Sequence, residues 1–148
     1  KEESLFLQAE AMERFNGGTG AKALYDAAVN ANFTRYGLSG AAFVAGPYAY
    51  PTTGTLESKI EAIIVQKWIA SFPGNGYEAF FEKNRTGYPK TSAVAQNVGS
   101  YVAGQINKEK NGTTGGLFPR RIAYPLTERN ANPNVPALIP ITTPVWWD

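Results

Sequence analysis

Residues Glu61 to Lys90 read EAIIVQKWIASFPGNGYEAFFEKNRTGYPK. An apolar, aromatic-ended helix runs into Pro73-Gly-Asn-Gly76, which cannot continue it. A second aromatic-rich helix is predicted over Tyr77 to Arg85, and Thr86-Gly-Tyr-Pro89 stops it. The first helix is predicted over 56–72, with Thr55 placed to cap it. At 100° per residue, Ile60, Ile63, Ile64, Val65, Trp68, Ile69 and Phe72 cover more than half of its circumference, with Lys59, Gln66 and Lys67 on a narrow polar side. Glu61 falls between Trp68 and Phe72, inside the apolar arc. A carboxylate there requires a cation or several hydrogen bonds, because an unpaired buried charge is very costly. Arg85 is the first choice of partner, then Arg120 or Arg121. A structural ion pair is the plainer reading of Glu61; a catalytic carboxylate is the sharper one.

Upstream, residues 4–15 carry Leu5, Ala9 and Met12 on one helical stripe and Leu7, Ala11 and Phe15 on another, with Ser4 as the candidate N-cap. Asn16-Gly-Gly-Thr-Gly20 stops this helix. A second follows over 21–36, with Leu24, Ala28 and Ala31 in register. A short polar loop between two amphipathic helices predicts an antiparallel helical hairpin. Residues 37–54 are rich in Gly and Pro and read as a loop, with Ala41 to Ala45 extended. Residues 92–106 read as a partial helix weakened by Gly99 and Gly104. From Asn107 onward Gly and Pro predict coil, with Arg121 to Tyr124 extended. A coil that long is credible in a compact domain only if it wraps a helical core.

The ordered elements QKWIA, Glu78-Ala-Phe80 and Arg85-Thr-Gly-Tyr-Pro89 resemble the C-terminal signature of the SusD/RagB-like outer-membrane lipoproteins, in its SusD-like branch. Pro119-Arg-Arg-Ile-Ala-Tyr-Pro125, Asn130-Ala-Asn-Pro-Asn134 and Val145-Trp-Trp-Asp148 are similar to that family's closing segments, in the same order. Two positions depart from the pattern: Asn84 stands where it has a second Arg, and Phe80 where it has Trp. The resemblance implies a mainly α fold: a tetratricopeptide-like helical hairpin (1–37), the signature helices (55–90) and a long ordered wrapping coil (107–148). Residues 1–148 would be the C-terminal part of a longer SusD-like domain, with the rest of the same protein upstream. It further implies non-catalytic capture of an oligosaccharide or other nutrient, delivery to a SusC-like TonB-dependent transporter, and lipid anchoring at the outer membrane, on the cell surface, through an N-terminal Cys outside this chain. The alternative is a structural segment that docks on the transporter while ligand binds elsewhere.

Composition narrows the chemistry. The chain of 148 residues has no Cys and no His. It therefore supplies no disulfide, no cysteine nucleophile, no Ser-His-Asp triad and no imidazole ligand for zinc. No metal site and no cofactor is expected. A net charge of +2 with scattered Lys and Arg gives no footprint for nucleic acid. Glu10, Glu13, Glu78 and Glu82 have the spacing of solvated helix faces rather than of a glycosidase pair. Gly17-Gly-Thr-Gly-Ala-Lys22 lacks the ending of a phosphate loop and follows a helix, so it reads as a turn. Sugar rings stack their C–H faces on aromatic side chains, and loop aromatics are the accessible ones. Tyr48, Tyr50 and Tyr101 are accordingly the candidate ligand-binding residues, against the plainer reading that they pack the scaffold. Trp68, Phe72, Phe80 and Phe81 are expected in the core. Trp146 or Trp147 is expected to clamp the chain's end onto the 56–72 helix.

Overall fold

The structure is a computed structural model that describes residues 1–95, 98–107 and 111–147. The chain is mainly helical and forms two compact units, Lys1–Pro89 and Lys90–Asp148. The first holds α1 (Glu2–Phe15), α2 (Ala21–Arg35), α3 (Ala41–Ala45), α4 (Leu56–Ala70) and α5 (Gly76–Thr86); the second holds α6 (Leu126–Ala131). Among the described residues no helix is long and apolar enough to cross a membrane.

In the first unit α1 lies between α2 and α4 and packs extensively on both. The core gathers Phe6 and Ala9 from α1, Ala21, Tyr25, Ala28 and Val29 from α2, Tyr50 from the loop, and Ile63 and Ala70 from α4. The α1–α2 turn is the glycine-rich one expected. Gly18 sits at φ +78°, and a Cβ there would lie 2.6 Å from the Glu13 carboxylate. Its amide donates to the Met12 carbonyl at 2.9 Å, closing the end of α1. At the other end α1 begins at Glu2, so Ser4 lies inside the helix and is not its cap. Thr55 does cap α4: its side chain accepts from the Ser58 amide at 3.2 Å.

The buried stripes differ from those expected. On α1 they are Phe6, Ala9, Glu10 and Glu13, while Leu7 and Phe15 are exposed. On α4 the buried residues are Ile60, Ile63, Ile64, Gln66, Lys67 and Ala70. The stripe 60, 63, 67, 70 is a regular helical face, and it takes in Lys67 because Glu82 of α5 meets its ammonium at 2.7 Å. The arc therefore turns away from Trp68 and Ile69, which are exposed; Phe72, beyond the end of α4 at Ala70, is exposed too, as is Phe81. Glu61 is half-buried, and Arg85 does not pair with it, because Arg85 is committed to Glu10 and Glu82.

Local structure departs from expectation in three further places. Ala41–Ala45 is a short helix rather than an extended stretch. The Gly40 carbonyl accepts from the Phe43 and Val44 amides at 3.0 and 3.1 Å, and Phe43 packs on Phe33. The partial helix expected over 92–106 is absent among the described residues; Gln96 and Asn97 lie outside them. Instead, Thr91 and Ile106 form a parallel bridge: the Ser92 amide donates to Ile106 and the Ile106 amide to Lys90, both at 2.8 Å. The C-terminal coil contains α6, and Arg121 to Tyr124 pair in no strand. The Arg120 and Arg121 amides converge on one carbonyl, that of Ile141, at 2.7 and 3.2 Å. The Arg121 guanidinium donates to the carbonyls of Thr143 and Pro144 at 2.9 and 2.6 Å. Between 120 and 144 the coil is thus held by side-chain and backbone hydrogen bonds rather than by a sheet. Of the two tryptophans expected to clamp the chain's end, Trp146 is 94% exposed and Trp147 38%.

Candidate functional site

The loop between α3 and α4 carries two of the three candidate tyrosines and treats them oppositely. Tyr48 is held from below. Its carbonyl accepts from the Tyr25 hydroxyl at 2.8 Å, and its ring stacks on Phe43, with centroids 4.3 Å apart and planes at 12°. Phe43 rests in turn on Phe33 at 5.0 Å. Tyr48 remains 47% exposed, so a ring fixed by an aromatic stack turns toward solvent. Such a ring can accept the C–H face of a ligand without losing rotamer freedom on binding.

Tyr50 faces inward. It is 6% exposed, its ring lies 5.3 Å from that of Tyr25, and its hydroxyl donates a short hydrogen bond to Glu13. Lys59 approaches the other Glu13 oxygen at 3.4 Å. Burial, then the bond to Glu13 and the charge on Glu13, push the Tyr50 hydroxyl well above the usual phenol range. Burial, with a further push from Asp26, raises Tyr25 to about 12. A ring this enclosed has no free face for a sugar; it anchors the loop that presents Tyr48. Tyr101 belongs to the second unit, is half-buried, and donates its hydroxyl to the Gln105 carbonyl at 2.7 Å.

Beneath the same unit runs a chain of charges absent from the expected site. Arg85, in the Arg-Thr-Gly-Tyr-Pro stop, donates to both Glu10 oxygens at 2.9 and 2.6 Å. Arg14 reaches Glu10 at 2.7 Å from one turn along α1. Glu82 bridges Arg85, in a short contact, to Lys67. Burial pushes the Glu10 carboxyl up, but the hydrogen bonds from Arg85 and Arg14 outweigh it and hold Glu10 below the usual carboxylate range. Glu10 and Glu13 are therefore buried and engaged, not the solvated pair expected. The signal that finds them is spacing: 6, 9, 10 and 13 lie on one helical face with Phe6 and Ala9. The Glu10–Arg85 pair fixes the end of α5, where Gly87 turns out of the helix at φ +79° and the Lys83 ammonium caps its carbonyl at 2.7 Å.

Trp68, expected in the core, instead edges a small groove shared with Glu3, Ser71, Asn75 and Glu78. Among the described residues no group of His, Cys, Asp and Glu side chains could hold a metal ion.

Comparison with known proteins gives one family match. A family model, SusD-like, described as Susd and RagB outer membrane lipoprotein, matches residues 44–148. A search of curated proteins finds no match to the chain. The matched segment contains Tyr48, Tyr50, Tyr101, α4, α5 and α6. It excludes α1 and α2, which supply Glu10, Glu13 and Tyr25.

Proposed function

Because this chain belongs to the SusD-like family of Susd and RagB outer-membrane lipoproteins, we propose that it is part of a non-catalytic surface receptor for a glycan or related nutrient, passed on to a SusC-like TonB-dependent transporter. The family match over 44–148 carries this reading. Within the chain, Tyr48 supports it: an exposed ring on a rigid Phe43–Phe33 stack is the form a stacking platform takes. Binding would then be stacking and hydrogen bonding on a pre-formed shallow surface around Tyr48; Tyr101, in the second unit, is a separate candidate contact. Tyr50 would act indirectly, by holding the loop.

An oligosaccharide-array screen of the protein tests the reading, followed by calorimetry on the best ligand. Tyr48→Ala should weaken binding by about 0.5–1.5 kcal/mol, the scale of one aromatic contact. Tyr101→Ala should show a loss on the same scale. Unchanged affinity in both variants moves the ligand away from these tyrosines. The burial of Tyr50 favours a second reading, in which this segment is a scaffold that docks on the transporter. Under it, the chain alone binds no glycan on the array yet still associates with the transporter.

A further inference from the structure

In the second unit, the stretch from Arg121 to Arg129 faces residues 136–139 across a small open groove of about 160 Å³. Its walls expose Ile122, Tyr124, Leu138 and Ile139, each between 43% and 62%. Its charge is one-sided. Arg121 and Arg129 line it, and among the described residues no carboxylate does. The Arg121 guanidinium is oriented by two neutral acceptors, the carbonyls of Thr143 and Pro144, and among the described residues no carboxylate pairs with it. The Arg129 guanidinium has no hydrogen bond or ion pair among the described residues. Glu128, its neighbour on α6, instead accepts from the Asn132 side chain at 2.7 Å.

We propose that this groove binds the acidic sugar residues of a uronic-acid-containing oligosaccharide, with Arg129 on the carboxylate and Tyr124 against the ring. A bare phosphate or sulfate would satisfy the guanidinium but leave the apolar walls wet. A neutral sugar would use Tyr124 and leave two cations uncompensated. A uronate presents both halves at once: a planar carboxylate that fits the guanidinium fork and an apolar C–H face for the exposed phenol ring. The proposal rests on the nutrient-receptor reading and adds a ligand class and a second place of contact.

Calorimetry of the whole chain with trigalacturonate and with its methyl ester, which keeps the rings and removes the charge, tests it. Trigalacturonate should bind more tightly than the ester, and rising salt should weaken it. Arg129→Gln should reduce trigalacturonate affinity about tenfold, the effect of losing one charge-assisted contact, and leave the ester unchanged. Arg129→Lys should recover part of the loss, and Tyr124→Ala should weaken both ligands. Arg129 and Tyr124 are exposed, so unchanged melting temperatures should show the variants folded. Equal affinity for acid and ester, no binding of trigalacturonate, affinity indifferent to Arg129→Gln, or preference for triglutamate would each overturn the proposal. Loss of an array ligand in Tyr48→Ala with trigalacturonate indifferent to Arg129→Gln would leave the receptor reading standing and remove this one.

Discussion

Arg85 closes on both carboxylate oxygens of Glu10, at 2.9 and 2.6 Å, from a position 75 residues further along the chain. Glu10 is 6% exposed and Arg85 42%. The pair therefore joins a carboxylate that cannot reach water to a cation that partly can. Breaking a buried pair from one side leaves the other charge unsatisfied, which costs about 3–5 kcal/mol in full burial. Glu10→Gln should cost about 3 kcal/mol, at the low end because water reaches Arg85 and Glu82 still pairs with it. Denaturant unfolding measures the loss. A double-mutant cycle with Arg85→Gln should show strong coupling; additive losses would mean the two residues stabilise the fold independently.

The same carboxylate makes stability depend on acid. Glu10 is held below its ordinary range in the folded protein, whereas in the unfolded chain it titrates near about 4.3. Between those values the unfolded state binds the extra proton, so stability rises with pH across that window. The contribution is complete above about pH 4.3 and is lost as pH falls through the folded value. Glu2, lowered chiefly by its own backbone hydrogen bond, acts in the same direction. Unfolding curves collected from neutral to acidic pH should fall more steeply for the wild type than for Glu10→Gln. Parallel curves would exclude Glu10 as a source of the acid sensitivity.

The two loop tyrosines should separate stability from binding. Tyr50→Phe removes the donor to buried Glu13 and should cost about 1–3 kcal/mol, the penalty for a buried group left short of a partner. Tyr48→Ala trims an exposed ring and should cost clearly less, while carrying the binding loss. Thermal melts compare the two directly, and a larger loss for Tyr48→Ala would reverse the assignment of anchor and platform.

Alkaline titration reads the same burial. Unperturbed phenols ionise near about pH 10, Tyr25 is raised to about 12 and Tyr50 is raised as well. Because their folded values lie above the unfolded ones, the stability they contribute is intact below about pH 10 and lost as pH rises through the folded values. Phenolate absorbance should therefore show a late fraction missing in Tyr25→Phe and Tyr50→Phe. Complete titration near pH 10 in the folded protein would contradict their burial.

Gly18 and Gly17 offer a matched pair in one turn. Both have positive φ, +78° and +60°, but only at Gly18 would a Cβ strike the Glu13 carboxylate, at 2.6 Å. Gly17→Ala should cost about 1–2 kcal/mol of backbone strain alone, and Gly18→Ala more, by displacing Glu13 from Tyr50. Equal melting temperatures for the two variants would show that the Glu13 side chain yields freely.

The features legible in the sequence are those decided within a few residues. The Thr55 cap, the glycine turn after Phe15, the break at Pro73 and the stop at Gly87 each follow from local backbone chemistry. The faces of α1 and α4 were not legible, because hydropathy assigns Glu10, Glu13 and Lys67 to water. Each is buried only because a partner from elsewhere in the chain, Arg85, Tyr50 or Glu82, meets it. For the same reason Trp68 is exposed: the face of α4 that is buried holds an ion pair, and the aromatic lies off it, while Phe72 falls beyond the end of the helix. Tyr48 and Tyr50 stand two residues apart in similar company. The approach of Glu13 to the Tyr50 hydroxyl, and of the Phe43 ring to that of Tyr48, distinguishes them.

The segment recognisable as family, 44–148, differs from the segment that folds. Lys1–Pro89 is one compact unit, and the matched boundary runs through it. Cut at residue 44, the chain would keep every residue of its recognisable signature, yet Arg85 would retain only Glu82 and Ile63 would lose the partners it has on α1 and α2. The most recognisable arginine in this sequence thus takes its main counter-ion from a helix that carries no recognisable motif. Sequence change in α1 at Glu10 would be felt in the signature itself, although no alignment of the signature alone would register it.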